Sequence, residues 1–158
     1  MAKGLVIYYS RSGNTKKMAE LIAESMSESD LPTECKSVEN VKADELLGYD
    51  AIVIGSPTYY GHMASEIKRL IDETVKNHGR LDGKIGGAFS SAANIGGGNE
   101  TAIMGMIEAM LIAGMVVQGD PQGDHYGPVS IGKPDERVTK QCQRRGRRIA
   151  KLTKKLTI

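Results

Sequence analysis

A loop of six residues, Ser10–Thr15, combines hydroxyl groups, an amide side chain and a glycine. At the start of a helix, such a loop offers an anion backbone N–H groups and short hydrogen bonds from hydroxyls. It lacks both the Gly-Lys-Ser/Thr ending of a nucleotide P-loop and the GxGxxG pattern of a dinucleotide loop, which favours a monophosphate. A turn that only caps a helix is the alternative. The predicted phosphate-binding residues are Ser10, Arg11, Ser12, Gly13, Asn14 and Thr15.

A second loop, Ser56–Met63, places two tyrosines beside a glycine directly after an apolar strand-like segment. Exposed aromatic rings at such a place are poor core residues, whereas they suit stacking against a flat ring system. The sequence therefore predicts that this loop contacts an aromatic ligand. The residues predicted to do so are Pro57, Thr58, Tyr59, Tyr60 and Gly61.

A third loop, Ser90–Asn99, contains three consecutive glycines, which allow the backbone to approach a ligand closely. A surface hinge is the alternative interpretation. The predicted contacts from this loop are Ser90, Ser91, Ala92, Ala93, Asn94, Ile95 and Gly96.

Three side chains, His62, His125 and Tyr126, could steer or protonate a substrate, and for each a surface or packing role is the alternative. No residue is assigned a catalytic role. The two cysteines, Cys35 and Cys142, have neither CxxC nor Cys/His spacing. Neither a metal site nor a disulfide framework is therefore predicted.

The segments that position these loops alternate between strand and helix patterns. A parallel sheet needs such crossover helices, and its ligand sites lie beyond the carboxyl ends of the strands, here at the switch point between the first and third strands. We therefore expect an α/β protein with a doubly wound five-stranded parallel sheet of order 2-1-3-4-5 and helices on both faces. The predicted strands are Leu5–Tyr9, Glu34–Val38 as an edge, Ala51–Gly55, Ile85–Phe89 and a last strand starting at Met115–Val117. The residues predicted to face the core from the intervening helices are Met18, Leu21, Ile22, Met26, Ile67, Leu70, Ile71, Val75, Ile103, Met104, Ile107, Met110 and Leu111.

Charge is distributed unevenly along the chain. The segment from Arg137 to Ile158 carries nine Lys or Arg residues and no acid, so twelve bases and nineteen acids remain before it. Because apolar residues recur there at steps of three and four, we interpret the segment as an amphipathic helix whose bases face solvent. No aromatic residue is interleaved to stack on bases, which argues against nucleic acid as a partner. The predicted buried stripe is Val138, Cys142, Arg145, Ile149, Leu152 and Leu156.

The length of 158 residues, with 40% hydrophobic and 25% charged residues, fits one domain over residues 1–158. No apolar run reaches the roughly 20 residues that cross a bilayer, and Met1–Ser10 has a strand pattern instead of that of a signal peptide. We therefore expect a cytoplasmic protein without a membrane partner.

Four segments, which contain the three loops and the start of the last strand, make the chain resemble the flavodoxin-like superfamily of FMN-binding proteins. Within it, the chain is most similar to the WrbA-type NAD(P)H:quinone oxidoreductase branch. The resemblance covers nearly the whole chain. It implies a flavodoxin-like fold with FMN as cofactor, its phosphate on the first loop, its ring beside the second, and its ribityl chain and pyrimidine end against the third. The matching segments are Leu5–Thr15, Tyr49–Asp72, Ser90–Glu100 and Gly114–Val117.

That branch also implies an activity, in which NAD(P)H gives a hydride to the flavin and a quinone or similar acceptor then takes two electrons. It further implies a homodimer or homotetramer. Ala113 is a departure, because the branch often has a histidine there near the flavin. The alternative function is that of a flavodoxin, an electron carrier between redox proteins, for which Gly61 supplies a peptide that can change orientation beside the cofactor.

Overall fold

The computed structural model describes residues 1–157, in which strands and helices alternate. The strands are β1 (Gly4–Tyr8), β2 (Thr33–Ser37), β3 (Ala51–Tyr59), β4 (His62–Met63), β5 (Ile85–Ala92), β6 (Val116–Val117) and β7 (Val129–Ile131). The helices are α1 (Asn14–Glu28), α2 (Ser65–Glu73), α3 (Asn99–Ile112) and α4 (Glu136–Leu156), with short 3-10 helices at Val38–Asn40, Ala43–Gly48 and Thr74–Asn77.

The main sheet is parallel and has the order β2-β1-β3-β5-β6. This confirms the predicted strand order and the edge position of the second strand. The sheet is buried on both faces because residues on one strand alternate between two cores. Leu5 and Ile7 belong to the core under α2 and α3, whereas Val6 between them belongs to the core under α1 and α4.

The last strand differs from the simple expectation because it is interrupted. β6 pairs with the start of β5 and β7 pairs with its end, and residues 118–128 run between them. The connection returns to the sheet at Gly127, where a Cβ atom would lie 2.0 Å from the carbonyl oxygen of Ala88. The next residue, Pro128, accepts a hydrogen bond from the N–H of Ser90 at 3.0 Å. The strand thus resumes beside the carboxyl end of β5.

Three of the core predictions are wrong at helix ends and edges. Val75 is 73% exposed because α2 ends at Glu73 and continues as a 3-10 helix, whose tighter turn rotates Val75 away from the core. Leu111, next to the last residue of α3, and Leu156, the last residue of α4, are also exposed. Near a helix end, the core beneath the apolar stripe is incomplete.

No helix within residues 1–157 combines the length and apolar character required to span a bilayer.

Two basic residues of α4, Arg144 and Arg145, bind groups of the protein, and the burial of Arg145 agrees with its place in the predicted stripe. Arg145 is 3% exposed and donates to the carbonyl oxygens of Gln118 and Tyr126 at 2.7 and 2.9 Å. Arg144 forms a bidentate pair with the carboxylate of Asp120, at 2.7 and 2.8 Å. Because buried polar groups require partners, these arginines bind α4 to the connection between β6 and β7.

The contact between α1 and α4 predicts that Gly146→Ala is destabilising. A Cβ atom at Gly146 would lie 2.6 Å from the carbonyl oxygen of Ile22 and 2.7 Å from Cβ of Ser25. Although alanine gains about 1 kcal/mol in helix propensity, overpacking costs about 1–3 kcal/mol, and the backbone of α1 cannot yield as a side chain would. We expect a lower urea midpoint. Gly48→Ala is the matched control, because nothing lies within 4 Å of a Cβ there, and equal midpoints for both variants would contradict the close approach.

The ion pair on the β6–β7 connection predicts an acid-dependent loss of stability. Hydrogen bonding from Arg144 holds the pKa of Asp120 at about 2, below its ordinary value of 3.8. The stabilisation is therefore complete above about pH 4 and lost as the pH falls through about 2. We expect Asp120→Asn to lower the urea midpoint at pH 6 and the difference from the parent protein to vanish near pH 2. A difference that is independent of pH would contradict this role of the carboxylate.

Candidate functional site

The three predicted loops meet at the carboxyl edge of the parallel sheet. The first follows β1 and runs into α1. The second consists of the end of β3, a turn and β4, and the third begins in the last residues of β5 and runs into α3. β3 and β5 thus extend four and three residues beyond their predicted ends at Gly55 and Phe89, because their pairing continues into the segments predicted as loops. β1, β3 and β5 are neighbours in the sheet, although they are far apart in the chain. The topology therefore brings together one composite site from segments that are separate in sequence.

The first loop presents backbone N–H groups without partners. Gly13 adopts a left-handed conformation at φ 95°, and its N–H is bound by Ser10 Oγ at 3.0 Å. No side chain caps α1, and within residues 1–157 the N–H groups of Asn14, Thr15 and Lys16 have no acceptor. Thr15 is 1% exposed. Unpaired N–H groups at a helix start, one of them here on the buried Thr15, are an arrangement that binds an anion.

α3 begins in the same way at the third loop. Gly98 is left-handed at φ 102°, no side chain caps the helix, and among the described residues the N–H groups of Asn99, Glu100 and Thr101 lack acceptors. By contrast, α4 begins with a capped turn, in which Asp135 accepts a hydrogen bond from Val138. The uncapped starts of α1 and α3 both lie at the carboxyl edge of the sheet.

The second loop is a tight hairpin between β3 and β4, with Tyr59 paired to His62. Tyr60 and Gly61 form its turn and both have positive φ, 49° and 80°, as a two-residue type I′ turn requires. The side chain of Tyr60 is fully exposed at 105%. The hairpin therefore presents an unburied aromatic ring at the edge where the other loops meet.

Two consecutive serines of β5 join the loops. Successive residues on a strand point to opposite faces, so Ser90 and Ser91 reach different neighbours. Ser91 Oγ lies 2.8 Å from the hydroxyl of Thr15, and Ser90 Oγ lies 2.8 Å from the hydroxyl of Thr58. Both serines are buried. The hydroxyl of Thr15, which the sequence predicted to face a phosphate, thus also has a partner within the protein, and either of the two hydroxyls can be the donor of this bond.

A cleft of about 540 Å³ opens beside the start of α3. Asn99, only 8% exposed, lines it, and its side chain has no hydrogen-bond partner within residues 1–157. The sequence prediction ended at Gly96 and so missed Asn99 and Thr101. The glycine run followed by polar residues was the available signal, because it marks a helix start without a capping side chain. The other lining residues include Ile95, Gly96, Val129 and Ile131.

Charge differs between the two ends of the site. Arg11, Lys16 and Lys17 are exposed at the first loop, whereas Glu100 is exposed at the third. Tyr9 immediately precedes the first loop, and burial followed by the charge of Glu66 raises its pKa, so its phenol stays neutral. An anionic group is therefore favoured at the first loop.

The three candidate proton donors are placed differently. His62 is exposed at the end of the hairpin, next to Gly61. His125 and Tyr126 lie on the β6–β7 connection, where Nδ1 of His125 is 2.8 Å from the carbonyl oxygen of Asp120 and the carbonyl of Tyr126 accepts from Arg145. Within residues 1–157, only His62 belongs to a loop of the site.

Ala113, at the position where the WrbA-type branch often has a histidine, lies at the far end of α3 from the site. Ala113 follows the last residue of α3, whereas the third loop precedes the first. A helix of 14 residues separates Ala113 from the three loops, which at 1.5 Å per residue is roughly 20 Å. The residue at this position is thus remote from the site of its own chain.

Comparisons with family models, with curated proteins and with solved structures agree on one family. Residues 5–94, more than half of the chain, match the family model described as flavodoxin domain. A flavodoxin of Aquifex aeolicus is 41% identical over 95% of this chain and 86% of the relative, and an NAD(P)H dehydrogenase (quinone) of Archaeoglobus fulgidus is 32% identical over 99% and 100%. A solved flavodoxin from the domain Archaea superposes with a TM-score of 0.81 at 34% identity over 96% of this chain and 99% of the other. The fold, the matched segment and these relatives together show that the chain belongs to the flavodoxin family.

Proposed function

We propose that this protein binds FMN at the carboxyl edge of its sheet and acts as an NAD(P)H-driven oxidoreductase that reduces quinones or similar acceptors. The observation that carries the proposal is the uncapped start of α1, where a buried N–H and its neighbours have no acceptor. The hairpin at the end of β3, the neighbour of β1 in the sheet, carries a fully exposed tyrosine. A monophosphate attached to a flat ring satisfies both features.

The first loop fits the phosphate. Its N–H donors at the positive end of the α1 dipole, together with the exposed hydroxyl of Ser12 and the nearby cation of Arg11, match the charge of a phosphate. Thr15 contributes its N–H together with its hydroxyl, which donates to the phosphate while it accepts from Ser91. The Ser10 hydroxyl accepts from the N–H of Gly13, which holds the turn, and its own proton stays available to the phosphate.

The second and third loops fit the ring and its polar edge. Tyr59 and Tyr60 supply aromatic surface at the hairpin, and Pro57 and Thr58 lead into it. The backbone between Ala92 and Gly96, and the uncapped start of α3 after it, supply donors for carbonyl oxygens of the ring. Such fixed donors also stabilise negative charge that develops on a reduced ring.

The chemistry itself belongs to the cofactor: when bound, FMN supplies hydride acceptance from a nicotinamide and two-electron transfer to an acceptor. The protein binds and orients the ring and leaves Tyr60 and Ile95 exposed for contact with a substrate. His62 is the side chain of the site that could hold a proton next to the hairpin. The names of the relatives similar to this chain include NAD(P)H dehydrogenase (quinone), at 32% to 38% identity, which supports this activity.

Electron transfer between redox proteins is the second candidate. It is favoured by the 41% identity to the flavodoxin of Aquifex aeolicus. The same cradle and hairpin would serve a carrier, which needs no acceptor pocket. The two functions therefore share the FMN site and differ in what approaches the exposed ring.

The phosphate cradle predicts a selective loss of affinity. Ser12→Ala combined with Asn14→Ala removes exposed polar side chains while leaving the backbone donors in place. Because a hydrogen bond to a charged group contributes about 1.5–3 kcal/mol, we expect at least about tenfold weaker FMN binding in a fluorescence titration. Riboflavin, which lacks the phosphate, is the internal control and should bind parent and variant alike. Equal loss for both ligands would place the two side chains outside a phosphate site.

The oxidoreductase proposal predicts turnover. Purified protein loaded with FMN, NADH or NADPH, and a benzoquinone should oxidise many equivalents of nicotinamide per protein. Alternating use of one ring by two substrates should give parallel double-reciprocal lines. If neither nicotinamide reduces the bound flavin while dithionite does so in two separate one-electron steps, the carrier function is correct instead.

A further inference from the structure

The hairpin of the second loop rests on the first turns of α3 through close contacts. A Cβ atom on Gly98 would lie 2.5 Å from Cα of Gly61, so the two backbones touch. A Cβ atom on Gly105, two turns further, would lie 3.1 Å from Cε of Met63. One face of α3 therefore carries small residues where β4 and the turn of the hairpin pack.

Thr101 lies on this same face and makes the polar contact of the interface. Its hydroxyl is 2.6 Å from the carbonyl oxygen of Gly61 and 2.8 Å from that of Gly98. A hydroxyl has a single proton to donate, and the shorter contact is the one to Gly61. The carbonyl of the Gly61–His62 peptide is thereby directed toward α3.

We propose that Thr101 is a positioning residue that anchors the Gly61 carbonyl to α3 and so adapts the site to two-electron chemistry in preference to one-electron carriage. The redox part rests on the proposed function, because it requires FMN beside the hairpin. The anchoring part rests only on the protein. Thr101 is exposed, so its side chain has little role in the core.

The physical reason lies in the orientation of one peptide. Glycine allows the Gly61–His62 peptide to rotate at little steric cost, so a hydrogen bond decides which orientation is populated. While Thr101 holds the carbonyl, the oxygen is unavailable as an acceptor for a protonated nitrogen of a reduced ring. Release of the carbonyl would add that acceptor and favour uptake of a single electron and proton. Thr101 thus bears on whether the site functions as a reductase or as a carrier.

Thr101→Val tests both parts, because valine keeps the shape of threonine and removes the hydroxyl. In the protein without flavin, we expect amide hydrogen exchange in the peptide that contains Tyr60–Met63 to become about 3- to 10-fold faster, as loss of one neutral hydrogen bond implies. In the FMN-loaded protein, titration with dithionite gives the potentials of the two one-electron steps. We expect the difference between these potentials, first minus second, to be at least about 59 mV larger in the variant than in the parent, which corresponds to a tenfold change in the equilibrium constant.

Two controls separate anchoring from a general effect. Thr101→Ser keeps the hydroxyl and should restore the exchange rate and the potentials of the parent. Thr139→Val removes a hydroxyl at the start of α4, where Thr139 Oγ1 donates to the carbonyl of Asp135, and should change neither quantity.

The proposal is overturned if Thr101→Val matches the parent in both measurements, or if Thr101→Ser behaves like the valine variant. It is also overturned if Thr139→Val shifts the potentials equally. If the parent fails to bind FMN, the proposed function is wrong, and the exchange rates then decide the anchoring role by themselves: faster exchange in Thr101→Val alone supports it, and unchanged exchange refutes it.

Discussion

The pair of buried hydroxyls on β5 is the interaction on which the site depends. Ser90 and Ser91 are neighbours in sequence, and the alternation of a strand sends one toward Thr58 on the second loop and the other toward Thr15 at the start of α1. The bond between Ser91 and Thr15 is buried, so breaking it would leave hydroxyls without partners in the interior, whereas Ser90 also donates to the carbonyl of Ser56 at 2.9 Å. β5 thereby fixes the first and second loops relative to the third.

A second set of contacts positions β7 at the carboxyl edge of the sheet. β7 pairs with the carboxyl end of β5, and the connection before it is bound to α4 by a buried arginine, Arg145, and by the pair of Arg144 with Asp120. These groups are far from the exposed loops in the chain, yet they determine where Val129 and Ile131 line the cleft. The basic helix therefore supports the site in addition to covering the sheet, and its remaining exposed bases are a solvated surface.

Relatives that are similar to this chain over most of its length carry two different names, flavodoxin and NAD(P)H dehydrogenase (quinone). The proposed cofactor site would serve either of the two proposed functions, so it does not distinguish them. Under our proposal the orientation of a single peptide in the hairpin does so, because its carbonyl either faces the helix or is free for the cofactor. In this chain the structure has that carbonyl bound by Thr101.

The sequence by itself determined the helices and the five-stranded parallel core, because hydrophobic periodicity and glycine-rich turns are local signals, whereas it did not predict β4 and β7. Strand order followed from the general rules for parallel sheets, and the three loops were recognised from residue types such as those of Ser10–Thr15. What a local pattern cannot contain is the partner of a side chain. The hydrogen bonds of Arg145 with Tyr126, of Thr15 with Ser91 and of Thr101 with Gly61 each join residues 19 to 76 positions apart. Only the tertiary structure decided these pairings, since a hydrogen bond depends on which groups the packed sheet and helices bring within about 3 Å of each other.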